Sequence, residues 1–218
     1  RPLPPSPMQP ADPTHTHSAA AEPARLMVLI SGSGRSLINL HDRCLDGTLN
    51  ARIAGVIASR PCAGVKRARD REIQAIIEPG EIPSDRLAAL AHAHHADLVV
   101  LAGYLRRVDL PPSLEGRVIN IHPALLPGDG TAGRFGGRGM YGAHVHRAVL
   151  EAGETQSGCT VHVVTNAFDS GPVILQKSCP VNPDDTPADL AARVFQLELE
   201  ALPEAVTACL AARAARTS

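Results

Sequence analysis

The run Leu26-Met-Val-Leu-Ile-Ser-Gly-Ser-Gly-Arg-Ser-Leu37, LMVLISGSGRSL, passes within twelve residues from an apolar stretch through two glycines into the start of a helical pattern. A strand, a Gly-rich turn and a helix start in that order form an anion site, because exposed N–H groups and the helix dipole converge there. Gly32 and Gly34 allow close backbone approach, and Arg35 and the Ser36 hydroxyl add donors. The plain alternative is a tight turn. A dinucleotide fingerprint does not fit: Leu37 stands where its third glycine belongs, and the next apolar run ends in Ser59-Arg60, where a ribose-binding acid is expected. The turn therefore reads as a phosphate site rather than an NAD site.

Outward from this run the same alternation continues. Short apolar runs recur at Ala54–Ser59, Gln74–Glu78, Asp97–Ala102 and Val118–His122, with helical stretches at Ser36–Leu45, Gly64–Glu72 and Ser84–His94 between them. Ser84 suits an N-cap, with Leu87, Leu90 and Ala91 at helical spacing behind it. Such β-α-β units predict an α/β fold: a mainly parallel central sheet with helices on both faces. Ser157–Val164 and Pro172–Val181 read as two later strands around Asn166-Ala-Phe-Asp-Ser-Gly171. Thr186-Pro-Ala-Asp189 supplies an N-cap, a proline at the first helical position and an acid in the first turn. The long helix behind it is expected to bend near Pro203.

The 218 residues are enough for a substantial core, and that core must be aliphatic, with no Trp, two Tyr and three Phe. Residues 1–24 are rich in Pro and Ala with little to bury, so they read as a disordered tail, with His15 and His17 solvated in it. A single domain over 25–218 is expected to follow. A net charge of -1 gives no global field favouring nucleic acid. No run approaches a membrane span, and the N-terminus lacks a signal-peptide layout. Five scattered cysteines without a C-x-x-C pair read as reduced thiols of a cytoplasmic protein, Cys159 and Cys179 serving as small hydrophobes.

The polar candidates stand out against this background. In VINIHPALLP (118–127), Asn120 and His122 are two apart and so share one face at the C-terminal end of a strand, where open α/β sheets bind ligands. A structural Asn and His satisfied by backbone is the plain alternative. Asp169 lies in a Gly-bearing turn between two strands; an Asp beside a His favours the imidazolium and fixes its orientation. An Asn donor, a charged His and an orienting Asp are the parts that hold a developing oxyanion. No Ser or Cys is placed as a nucleophile, which leaves the attacking group to the substrate. His92, His94 and His95 look like metal ligands but close a helix, with no Cys or acid cluster to complete a set, so no metal site is expected.

With these residues assembled, the chain resembles the glycinamide ribonucleotide formyltransferase family over roughly residues 26–206. The motifs that carry the resemblance, in order, are LISGSGRSL, DLVVLAGYLRRV, INIHPALLP, GCTVHVVTNAFDSGPVILQ and DDTPADLAARVFQLELEALPEAV. The resemblance implies a Rossmann-like formyltransferase fold that needs no metal. It implies that a substrate amine attacks the formyl carbon of 10-formyltetrahydrofolate, as de novo purine biosynthesis requires. On the same basis Asn120 bonds the formyl oxygen, His122 stabilises the oxyanion and moves protons, and Asp169 charges His122 and positions a water. Gly34, Arg35 and Ser36 match the phosphate-holding positions, and Glu198 matches a ribose contact. Leu105, Arg106, Arg107 and Val108 match a wall of the folate pocket, and His162 matches a supporting residue. The expected partners are small molecules rather than nucleic acid or membrane, for a monomer or homodimer.

Two departures bear on the site. The family loop usually reads Gly-Ser-Asn or Gly-Thr-Thr where this chain has Gly34-Arg35-Ser36; Arg35 either contacts phosphate or points outward and leaves the anchor to backbone N–H groups. After LLP the chain runs through residues 128–142 with seven glycines, either a loop that closes over substrate or a floppy insertion. Among related chemistries, a transfer-RNA formyltransferase is disfavoured by the neutral pI and a deformylase by the short tail. A formyltransferase acting on another phosphorylated or nucleotide sugar amine stays open. An NADP-linked oxidoreductase using Arg60 is disfavoured by the broken fingerprint.

Overall fold

The computed structural model describes residues 22–217, so most of the expected tail, including His15 and His17, lies outside the described residues. Seven strands form one sheet: β1 (Ala24–Ile30), β2 (Ala51–Ala58), β3 (Ala75–Ile77), β4 (Leu98–Leu101), β5 (Val118–His122), β6 (Gln156–Val163) and β7 (Val173–Pro180), in the spatial order β3-β2-β1-β4-β5-β6-β7. The first five are parallel, and β6 and β7 run antiparallel to their neighbours. The helices are α1 (Arg35–Leu45), α2 (Ala63–Arg69), α3 (Ser84–Ala93), α4 (Ala143–Glu151) and α5 (Pro187–Thr217).

The apolar runs form strands because both faces of the sheet are buried. Along β1, Leu26, Val28 and Ile30 enter one core while Met27 and Leu29 enter the other. β4 divides the same way, Leu98 and Val100 against Val99 and Leu101. The first core is completed by Leu37 and Leu40 of α1, Val65 and Ala68 of α2, Val149 of α4, and Leu190, Val194, Leu202 and Val206 of α5. The second is completed by Leu87, Leu90 and Ala91 of α3 with Tyr104, Val108 and Leu114. Helices therefore cover both faces, as the alternation predicts.

Several boundaries differ from the sequence reading. Ser84 is the first residue of α3, not its cap; Pro83 holds the cap position in extended conformation, with no side-chain cap hydrogen bond. The second helix ends at Arg69 rather than Glu72, which adopts a left-handed φ of 59°. Thr186 does cap α5: its Oγ1 accepts from the Asp189 N–H at 3.3 Å, while the Asp189 carboxylate accepts from the Thr186 N–H at 3.0 Å. Pro203 lies inside α5 and has no N–H for the Leu199 carbonyl one turn back. That carbonyl instead accepts the side-chain amide of Asn39 on α1, at 2.8 Å.

His94 is structural. Its ring is buried, its Nδ1 faces the Ala54 carbonyl at 3.1 Å, and it packs where a side chain on Gly55 would stand. Ala54 is the residue skipped by the β1–β2 register, so the bulge and the ring fit each other. The described residues contain no cluster of His, Cys, Asp and Glu fit to hold a metal. All five cysteines are free.

Candidate active site

A cavity of about 790 Å³ opens at the C-terminal ends of the parallel strands. The turn after β1 forms one wall. Gly34 has a left-handed φ of 71°, and a Cβ there would lie 2.7 Å from the Gly64 Cα, so two glycine backbones pack directly together. No side chain caps α1, and its first intrahelical donor is the Ile38 N–H to Gly34 at 3.0 Å. The N–H groups of Arg35, Ser36 and Leu37 therefore precede the helical ladder, at the cavity edge that Gly34, Arg35 and Ser36 line. Arg35 does not point away: its guanidinium carbon lies 3.7 Å from the centroid of the Phe195 ring, another lining residue. Arg60 instead donates to the Ser31 carbonyl at 2.9 Å and does not line the cavity.

Asn120 and His122 project together from β5, as their spacing predicts. Asp169 reaches them from the β6–β7 turn in a left-handed conformation, φ 45°. Its Oδ1 is 3.3 Å from Asn120 Nδ2 and 3.4 Å from His122 Nδ1. The other His122 nitrogen faces the Phe135 carbonyl at 2.6 Å. Both ring nitrogens thus face oxygen acceptors, which fixes the orientation of the ring. Burial works to raise the Asp169 carboxyl, but His122 and the Gly137 N–H at 2.9 Å outweigh it and hold the group well below the usual carboxylate range.

His162 sits opposite Asn120 in the β5–β6 register. Its Nδ1 faces the Val163 carbonyl at 3.0 Å and must carry the proton, so Nε2 is an acceptor. Asn120 Nδ2, 3.1 Å away, donates to it. This chain of donors fixes the Asn120 amide with its N–H side toward Asp169. The exit after β5 is fixed too: Thr160 Oγ1 donates to the Ala124 carbonyl at 2.7 Å and accepts from the Leu126 N–H at 3.0 Å.

Leu105, Arg106 and Arg107 line the cavity, while Val108 and His162 line a smaller pocket that adjoins it and shares Asn120 and Asp169. Glu198 lies on the α5 wall, where burial pushes its carboxyl up to about 7 against the opposing pull of Arg35 and His122. The Gly-rich stretch 128–142 is tied to the site by three backbone hydrogen bonds. The Phe135 carbonyl accepts from His122, the Gly137 N–H donates to Asp169, and the Gly130 carbonyl accepts the Gly171 N–H at 3.0 Å.

Sequence reasoning missed Phe195, Tyr104, Tyr141, Phe168 and His146, all of which line the cavity. A signal was present. The chain has only five Phe and Tyr residues. Four of them line this cavity, and the fifth, Phe135, bonds His122 through its carbonyl.

The fold is thus an α/β sheet whose strand ends carry one cavity shared by the Asn120, His122 and Asp169 side chains and the uncapped start of α1. The chain belongs to the formyl transferase family, whose pattern matches residues 24–206. It is 37% identical over 199 residues to the chloroplastic phosphoribosylglycinamide formyltransferase of Arabidopsis thaliana, covering 86% of this chain and 66% of that protein. It is 35% identical to the phosphoribosylglycinamide formyltransferase of Escherichia coli, covering 78% of this chain and 79% of that one. The crystal structure of glycinamide ribonucleotide transformylase 1 from Symbiobacterium toebii superposes with a TM-score of 0.75 at 38% identity, covering 86% of this chain and 87% of the other.

Proposed function

We propose that the chain transfers the formyl group of 10-formyltetrahydrofolate to the amine of 5-phosphoribosylglycinamide, a step of de novo purine biosynthesis. One observation carries the reading: a single Asp169 oxygen within 3.3 Å of Asn120 Nδ2 and 3.4 Å of His122 Nδ1, in a cavity that also holds the phosphate turn. The substrate phosphate rests on Gly34, Arg35 and Ser36, its ribose hydroxyls on Glu198, and the folate against Leu105, Arg106, Arg107 and Val108.

The amine lone pair attacks the formyl carbon, and the carbonyl π pair moves onto oxygen. Asn120 meets that oxygen with the N–H now directed at Asp169, the longer of its two contacts, and His122 supplies the opposing positive charge. The attacking nitrogen loses a proton and the oxyanion collapses. The bond to the folate nitrogen breaks, and that nitrogen takes a proton through His122 and a water positioned by Asp169. His162 supports the reaction by holding the Asn120 amide the right way round.

The absorbance change of formyl-folate consumption in the presence of 5-phosphoribosylglycinamide tests the reading. Faster turnover with this amine than with other sugar amines is expected; folded protein that leaves the formyl-folate intact refutes it. Among the described residues no helix is long and apolar enough to cross a membrane. With five free cysteines, action on small molecules in the cytoplasm is the proposed setting, as a monomer or homodimer.

A further inference from the structure

We propose that Phe195 is a positioning residue that makes one stripe of α5 a reader of phosphorylated sugars: its ring presents Arg35 to the phosphate, while Ala191 leaves room and Glu198 takes the sugar hydroxyls. The inference rests on the function proposed above and adds a residue that sets its substrate specificity.

Ala191, Phe195 and Glu198 stand at i, i+4 and i+7, so they form one face of the helix, and all three line the cavity. Arg35 comes from the first turn of the neighbouring helix α1, and its guanidinium carbon lies 3.7 Å from the ring centroid. Stacked there, the guanidinium keeps its in-plane N–H donors for a ligand, and no hydrogen bond or ion pair among the described residues claims them. A fork held flat loses less freedom when it closes on two phosphate oxygens than a loose side chain does. Glu198, one turn beyond Phe195, is near enough for the charges of Glu198 and Arg35 to be felt. The rise between the two α5 positions is about 4.5 Å, a spacing suited to a single sugar unit between phosphate and hydroxyl contacts. Packing alone would not explain an arginine on this ring, because an aliphatic side chain covers the same face without a charge to desolvate.

The test compares wild type with Phe195→Leu, Phe195→Met and Phe195→Tyr. KM and kcat are measured for 5-phosphoribosylglycinamide and for its dephosphorylated analogue, together with competitive inhibition by inorganic phosphate. Leu and Met fill the space without a π face, and Tyr keeps the face. The expected result for Leu and Met is a roughly tenfold higher KM for the phosphorylated amine and a similar weakening of phosphate inhibition, with kcat and the folate KM within about twofold. Tyr restores both, and the dephosphorylated amine behaves alike in all four proteins. Unchanged phosphate inhibition in folded Leu or Met protein overturns the inference, as does an equal loss on the dephosphorylated amine. Wild-type protein that binds phosphate by calorimetry but never turns over would refute the proposed function alone. Sensitivity of that binding to Phe195→Leu would still support the stripe.

Discussion

His122 is held between two acceptors, the Asp169 carboxylate and the Phe135 carbonyl, so its ring has little freedom to turn away from the cavity. Replacing it with alanine should lower kcat by at least ~10² while folate affinity stays nearly unchanged, measured by steady-state kinetics and by folate titration. Glu198 offers a second experiment at this scale. Folding raises its carboxyl from 4.5 to about 7, so the folded chain holds that proton more tightly than the unfolded chain. Its contribution is fully present below pH 4.5 and is lost as pH rises through about 7. Glu198→Gln should therefore match wild type near pH 4.5 and exceed it above pH 7, by up to about 3 kcal/mol in urea unfolding. Equal stabilities at both pH values would remove the buried-carboxylate account. Asn120 and His122 stood out in the sequence because they break an apolar run at a strand end, and Asp169 because it sits in a Gly-bearing turn between two strands; the structure brings the three side chains together. Phe195 did not stand out, because a lone aromatic in a helix has the pattern of core, and its partner Arg35 lies 160 residues away.

Elements were legible wherever burial on both faces imposes an apolar run, as along β1 and β4. Their ends were not. The Ser84 cap failed because Pro83 already supplies the extended conformation that precedes α3. Pro203 was read as a bend, but the more telling fact is the carbonyl it frees, which ties α5 to α1, the helix that follows the Gly-rich turn. A double-mutant cycle checks that tie. Asn39→Ala should cost about 1 kcal/mol in wild type, because it orphans the Leu199 carbonyl. It should cost much less in a Pro203→Ala background, where a backbone N–H takes over. Additive costs would show that the side-chain amide contributes nothing of this kind. The Gly-rich stretch was illegible for a different reason. Its three anchoring hydrogen bonds all join its backbone to distant residues, and no side-chain pattern records them.

At the scale of the whole molecule, the parallel half of the sheet brings Asn120 and His122, and the antiparallel pair β6–β7 returns Asp169 to them. The two contributions lie on either side of residues 128–134, whose outermost positions, Asp129, Thr131 and Gly133, are exposed. The molecule is thus divisible. Two polypeptides, residues 22–131 and 132–217, each hold part of the Asn120, His122 and Asp169 cluster and neither holds all of it. Mixed together, they should reassemble along the β5–β6 seam and regain the proposed formyl transfer, which neither should show alone. Activity appearing in one fragment by itself would contradict that division. Fused to two interacting partners, the fragments would report that encounter as catalysis.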